Sequence, residues 1–162
     1  STGSLGQGLS AANGMAMAAK ADKKDYRVYC ICGDGELQEG QIWEAAMTAA
    51  HYKLDNLTLF VDCNGLQIDG KVEDVMNVAP VSDKFQAFGW KVLEVNGHDI
   101  AAIDQAVEKA KALKESPTVI VCKTTKGKGI SFMENQAGWH GAAPDEQQFK
   151  TAMEDLKRQG GL

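Results

Sequence analysis

Tyr26-Arg27-Val28-Tyr29-Cys30-Ile31-Cys32-Gly33-Asp34-Gly35 sets the architecture of this chain. Aromatic and β-branched residues predict a strand over Tyr26–Cys32, and Gly33-Asp34-Gly35 ends it. Glu36–Tyr52 then reads as one helix, apolar on most sides through Leu37, Ile42, Trp43, Ala46, Met47 and Ala50. A helix of that kind packs between layers or against a partner. Leu57–Cys63 is a near-continuous apolar run, as expected of a parallel strand covered on both faces. Strand, helix and strand at these lengths form a crossover that sets two parallel strands side by side. Asp34 and Asn64 then stand at adjacent carboxyl ends, where ligands bind in such sheets.

On either side of this unit the pattern continues. Gly3–Ala21 carries Leu5, Leu9, Ala12, Ala16 and Ala19 on one helical face, and its glycine and alanine content predicts close backbone packing. Asn64–Ala79 reads as a loop, Ser82–Phe88 as a short helix and Trp90–Val95 as a strand. Asp99 is an N-cap for a helix with Ile100, Ile103, Val107 and Ala110 on one stripe. Thr118–Lys123 is the last strand and Lys126–Ala143 a glycine-containing loop. Pro144-Asp145 opens a final helix with Phe149, Met153 and Leu156 on one stripe. With no repeat or low-complexity linker, residues 1–162 read as a single α/β domain of three layers around a mostly parallel sheet.

The chain has 162 residues, 17 basic against 22 acidic, and a formal net charge of −5. That balance argues against nucleic acid or an anionic membrane as a main partner. No apolar run approaches the ~20 residues of a membrane-spanning helix. Cys30, Cys32, Cys63 and Cys122 all lie in strand-like runs and read as buried thiols in a reducing compartment, the cytoplasm. The sequence opens Ser1-Thr2-Gly3-Ser4-Leu5, without Met and straight into helix-forming residues, which suggests a fragment or a processed product.

A carboxylate (Asp34), a side-chain amide (Asn64) and a backbone carbonyl near them make an all-oxygen donor set suited to Mg²⁺ or Ca²⁺. Through such a metal an acidic protein can hold a phosphate. Gly35 and Gly40 have the spacing of a P-loop, but Gln41 and Ile42 stand where Lys and Ser/Thr are required. Gly33 and Gly35 begin a dinucleotide fingerprint, but Gln38 takes the third glycine position. Taken singly, Asp34 is equally a helix cap, whereas Glu39 and Glu44 on a largely apolar helix favour an interface over a solvated edge. Lys126 and Lys128 reach substrate or lie solvated on a loop; His98 holds a turn, and His51 packs at a helix end. Cys30 and Cys32 have the spacing of a metal hook but no complementary pair, which favours core packing.

Gly33-Asp34-Gly35 followed thirty residues after Asp34 by Asn64 resembles the metal-binding motif of the thiamine diphosphate-binding fold. The flanks are similar to transketolase over essentially the whole chain. They are Thr2–Gly8, Gly33–Gly40, Asp62–Gly70, Phe88–Trp90, Asn96–Asp99, Lys123–Gly129 and Trp139–Pro144. Deoxyxylulose-phosphate synthase is a near relative; Gly3–Gly8 and Trp139–Pro144 favour transketolase. A non-catalytic interaction domain is the alternative of a different class.

The resemblance implies thiamine diphosphate and Mg²⁺ as cofactors, with Ca²⁺ as a possible substitute for the metal. It implies Asp34 and Asn64 as side-chain metal ligands and Leu66 as a carbonyl ligand. Gly35 lets the backbone approach the diphosphate, and Leu5 and Ile68 touch the cofactor rings. His140 is the catalytic candidate beside the diphosphate, and Glu39 and Glu44 belong to the subunit contact. The implied reaction passes a two-carbon ketol unit between sugar phosphates of the pentose phosphate pathway. Its partner is a pyrimidine-binding domain or C-terminal transketolase subunit in a homo- or hetero-oligomer, such as a dimer. This sequence shows no pyrimidine-binding domain and none of the family's substrate-facing histidines before Gly3, so the resemblance implies an enzyme part inactive by itself. Ser4 replaces a common Pro, and Lys126 stands where some relatives have an apolar contact.

Overall fold

The computed structural model describes residues 5–160. Strands β1 (Val28–Gly33) and β2 (Leu57–Cys63) pair in parallel, flanking helices α1 (Gly8–Ala21) and α2 (Gly40–His51). A two-residue hairpin follows, β3 (Leu66–Gln67) against β4 (Gly70–Lys71), then α3 (Val72–Met76) and α4 (Val81–Ala87). β5 (Lys91–Asn96), α5 (Ile100–Ala112), β6 (Thr118–Lys123) and α6 (Glu146–Arg158) complete the chain. The main sheet has the order β1-β2-β6-β5 and every pairing in it is parallel. All four carboxyl ends therefore open on one edge.

Alternation decides the layers. Val28, Cys30 and Cys32 of β1, Leu57, Leu59 and Val61 of β2, and Val119 and Val121 of β6 are buried on one face. Against them lie Leu9, Ala12 and Ala16 of α1, Ile42, Ala45 and Ala49 of α2, and Phe85 of α4. Small residues let α1 and α2 approach closely, and Asn13 Nδ2 donates to the Ala45 carbonyl at 2.8 Å between them. Trp43, Phe85, Phe88 and Trp90 cluster at one end, with Trp90 Nε1 donating to the Ala46 carbonyl at 2.9 Å. The opposite face packs α5 through Ala106 and Val107 against Ile120, Cys122, Leu93 and Val95. On the edge strand of that face Tyr29 and Ile31 are 45% and 75% exposed.

Several expected boundaries move. The first helix starts at Gly8, Leu5 and Gly6 form a turn, and residues 3 and 4 lie outside the described residues. The single helix expected over Glu36–Tyr52 is broken: Gly35–Gln38 is a 3-10 turn, Glu39 is extended with ψ 124°, and α2 begins at Gly40. The break has a cause in Asp34, whose carboxylate caps Gly35 N–H, and in Trp43 Nε1, which donates to the Leu37 carbonyl at 2.8 Å. Nor is α2 buried all round, because Met47 is 51% exposed and Glu44 is exposed. The loop expected over Asn64–Ala79 contains the hairpin and α3, and the Lys126–Ala143 loop contains a 3-10 turn over Ala137–His140. Asp99 caps α5 as expected, accepting from Ala102 N–H at 3.0 Å. All four cysteines are free; Cys63 is only half-buried, unlike the other three. Among the described residues no helix is long and apolar enough to cross a membrane.

Candidate cofactor and metal site

Gly33 pairs with Asp62 in register, and Asp34 N–H donates to the Asp62 carbonyl at 3.1 Å, so the ends of β1 and β2 are locked together. Asp34 is 5% exposed. Its Oδ1 accepts from Gly35 N–H at 2.8 Å and its Oδ2 from Gly65 N–H at 2.6 Å. Burial nevertheless pushes its pKa up, the amides of Gly65 and Gly35 pull it down, and the Asp62 carboxylate nearby pushes it up again. Among the described residues no cationic side chain pairs with it.

Asn64 follows β2 and folds back on itself. Its Oδ1 accepts from Leu66 N–H at 2.9 Å, and its Nδ2 donates to Asp62 Oδ2 at 3.2 Å. Thr124, just beyond β6, donates its hydroxyl to Asp62 Oδ1. The amide of Asn64 is thus oriented by Asp62, which is itself held by the neighbouring strand end. His98 Nε2 accepts from Thr125 N–H at 2.7 Å, the turn-holding role its position suggested.

These groups face a cleft of about 440 Å³ at the carboxyl edge of the sheet. Leu5, Asp34, Gly35, Glu39, Asn64, Leu66, Ile68 and His140, drawn from separate stretches of chain, all line it. Glu44 does not; it lines a groove of about 410 Å³ between α1 and α2 with Ser10, Gly14 and Thr48. Leu5 and Ile68 are 54% and 69% exposed, apolar groups facing open space. At the rim Lys126 Nζ lies 3.5 Å from His140 Nδ1. A second cavity of about 470 Å³ shares Asp34, Asn64 and Leu66 with the cleft and continues to Cys63, whose thiol burial pushes up to about 12. Lys128 instead pairs with Glu134 at 3.2 Å, away from the cleft lining.

The family model for the transketolase thiamine diphosphate binding domain matches residues 1–159. The chain belongs to the transketolase N-terminal domain family. It is 46% identical over 155 residues to an apulose-4-phosphate transketolase subunit of Phocaeicola vulgatus, covering 96% of this chain and 55% of that one. It is 46% identical over 159 residues to the 6-deoxy-6-sulfo-D-fructose transketolase subunit SqwG of a Clostridium species, covering 98% of this chain and 58% of that one. The solved transketolase of Campylobacter jejuni matches with TM-score 0.90 at 42% identity, covering 96% of this chain and 26% of that one. This chain therefore spans little more than half the length of these two relatives.

On this transketolase-type sheet edge the sequence reading missed three residues that organise the site. Asp62 orients Asn64; Gln38 Nε2 bridges Gln67 Oε1 at 2.6 Å and the Met76 carbonyl at 2.8 Å. Glu36 accepts from two glycine amides, Gly6 at 2.8 Å and Gly33 at 3.2 Å. The sequence signal was available for Asp62, two residues before Asn64 on an apolar strand. For Glu36 it was not, because the helix expected there hides the turn that aims it.

Proposed function

We propose that residues 1–162 form the diphosphate- and metal-binding domain of a transketolase, working with a pyrimidine-binding domain or C-terminal subunit. The observation that carries this reading is the convergence of a buried carboxylate without a cationic partner among the described residues (Asp34) with the Asn64 amide and Leu66 on one cleft that Leu5 and Ile68 also line. The donor set of carboxylate, amide and carbonyl fits Mg²⁺, with Ca²⁺ as a substitute, better than zinc, since no group of three His, Cys, Asp or Glu side chains converges among the described residues. Asp34 and Asn64 would hold the cation by side chain and Leu66 by its carbonyl. Gly35 would face the diphosphate, where a Cβ would stand only 3.0 Å from Gln67 Cβ. When bound, thiamine diphosphate supplies the nucleophilic carbon chemistry for moving a two-carbon ketol unit between sugar phosphates.

This chain's own contribution is binding, orientation and proton placement. Asp34 would offset the charge of a bound metal, and Leu5 and Ile68 would offer apolar surface to the rings. His140, whose Nδ1 lies 3.5 Å from Lys126 Nζ at the cleft rim, would exchange a proton with a phosphate or substrate oxygen there. Lys126 supplies a positive charge at a rim otherwise rich in carboxylates. The relatives named as subunits support a partner chain, and exposed Glu39 and Glu44 are the contact residues we assign to it. Sugar phosphates of the pentose phosphate pathway as substrates, a dimeric assembly and a cytoplasmic setting, which suits four free thiols, complete the proposal.

Calorimetric titration of thiamine diphosphate is the test. Binding is expected only with Mg²⁺ or Ca²⁺ present and is lost in Asp34→Ala and Asn64→Ala; unchanged binding in both variants removes the metal assignment. Ketol transfer on mixing with a pyrimidine-domain chain, absent from either chain alone, separates an enzyme part from an interaction domain.

A further inference from the structure

Two glycine amides far apart in sequence converge on a single carboxylate. Gly6 N–H donates to Glu36 Oε1 at 2.8 Å, and Gly33 N–H donates to Glu36 Oε2 at 3.2 Å. Gly6 has φ +85°, and a Cβ there would stand 2.8 Å and 2.9 Å from Glu39 Cβ and Cγ. The turn before α1 is thus pinned by Glu36 on its amide and backed by the Glu39 side chain. That turn carries Leu5 into the cleft, while Gly33 leads directly into Asp34 and Gly35. Among the described residues Glu36 is the one side chain that hydrogen-bonds both stretches, which form two walls of the cleft.

Charge gives the arrangement a further consequence. Asp34, Glu36, Glu39, Asp62 and Asp69 line the cleft, against the single lysine Lys126 among its described lining residues. A carboxylate engaged in hydrogen bonds repels an anionic diphosphate less than a free one. Asp62 is engaged by Thr124 and Asn64, and Glu36 by two amides, each an ion-assisted hydrogen bond stronger than a neutral one.

We infer that Glu36 is a positioning residue for the thiamine diphosphate cleft: its carboxylate clamps the Leu5–Gly6 turn to the Gly33–Gly35 loop and sets the spacing between the ring-facing and diphosphate-facing walls. The inference rests on the reading of the cleft as that cofactor's site. Glu36 acts through Gly6 and Gly33. A glutamine at this position retains one acceptor and turns an NH₂ group toward the other amide, so it weakens the clamp without emptying the space.

The test uses the protein assembled with its partner chain, at saturating Mg²⁺. Calorimetric titration with thiamine diphosphate should show binding about tenfold weaker in Glu36→Ala and about threefold weaker in Glu36→Gln, the scale of one lost or half-lost ionic hydrogen bond. Amide exchange at Gly6 should quicken in the same order, Ala more than Gln, while exchange within α5 on the opposite face of the sheet stays unchanged. The apparent KM for cofactor should rise by a larger factor than kcat falls. Equal cofactor affinity in wild type and both Glu36 variants, with binding abolished in Asp34→Ala, overturns the clamp and leaves the site standing. No binding by wild type overturns the site and the clamp together. Should Glu36→Ala fail to fold, the nearly isosteric Glu36→Gln carries the comparison alone.

Discussion

Asp34 holds a charge that the folded chain does not neutralise. Burial raises its pKa above 3.8 in spite of two amide donors, so folding favours the protonated form. Its contribution to stability is therefore present below 3.8 and is lost as pH rises through the raised folded value. In the metal-free protein the unfolding free energy should decline over that interval, and the decline should be absent in Asp34→Asn, as measured by urea unfolding at a series of pH values. A ligand that binds only the folded state repays the loss. Mg²⁺ with thiamine diphosphate at a hundred times its dissociation constant should stabilise the wild type by about 2.7 kcal/mol and Asp34→Asn hardly at all, read as a shift in melting temperature. Gly127 sits beside Lys126 of the cleft rim. It has φ +70°, and a Cβ would stand 2.7 Å from both Met133 Cβ and the Met133 carbonyl oxygen. Gly127→Ala should cost about 1–3 kcal/mol and should displace the adjacent Lys126 from the cleft rim, lowering both the melting temperature and cofactor affinity.

Among the elements, α6 is anchored differently from the rest. Only Ala152 and Asp155 are buried along it. Polar anchors make the attachment: Asp155 Oδ2 accepts from Ser131 N–H at 2.9 Å and Ser131 Oγ at 2.6 Å, and Gln159 Nε2 donates to the Gly129 carbonyl at 3.0 Å. The Ser131 hydroxyl and then its amide hold the Asp155 carboxyl below its usual value. The support it gives is therefore present at neutral pH and lost as pH falls through that lowered value. Asp155→Ala should release α6 while the sheet stays folded, seen as several-fold faster proteolysis between residues 141 and 160 with little change in the main melting transition. The capping box of α6, with Asp145 and Gln148 exchanging hydrogen bonds at 2.8 Å, follows the Pro144-Asp145 signal seen in sequence. The broken helix after Asp34 does not, because hydrophobic spacing is continuous from Leu37 to Ala50 and only the cap at Asp34 and the bond from Trp43 to Leu37 end the first turn.

For the whole molecule, one face of the sheet carries most of the core. Phe85 is fully buried between Trp43 and Trp90, with ring centroids 5.2 Å and 5.4 Å away. It ties α4 to α2 and to the start of β5, so its removal leaves a cavity where three elements meet. Phe85→Ala should cost about 3–5 kcal/mol in urea unfolding followed by tryptophan fluorescence. Cofactor affinity per folded molecule should stay near wild type, since Phe85 does not line the cleft.

Residue order dictated the α/β class, the adjacency of β1 and β2 and the partnership of Asp34 with Asn64. A crossover of strand, helix and strand leaves few ways to place two parallel strand ends, and loop glycines mark those ends. Family resemblance added Leu5, Gly35, Leu66, Ile68 and His140, and the fold brings these to one cleft. Which polar groups support that cleft depended on tertiary packing. Asp62 is held by Thr124, 62 residues further along the chain, and Glu36 reaches back 30 residues to Gly6 in the turn before α1. Such contacts follow from where whole elements come to rest against one another, and no local spacing records that.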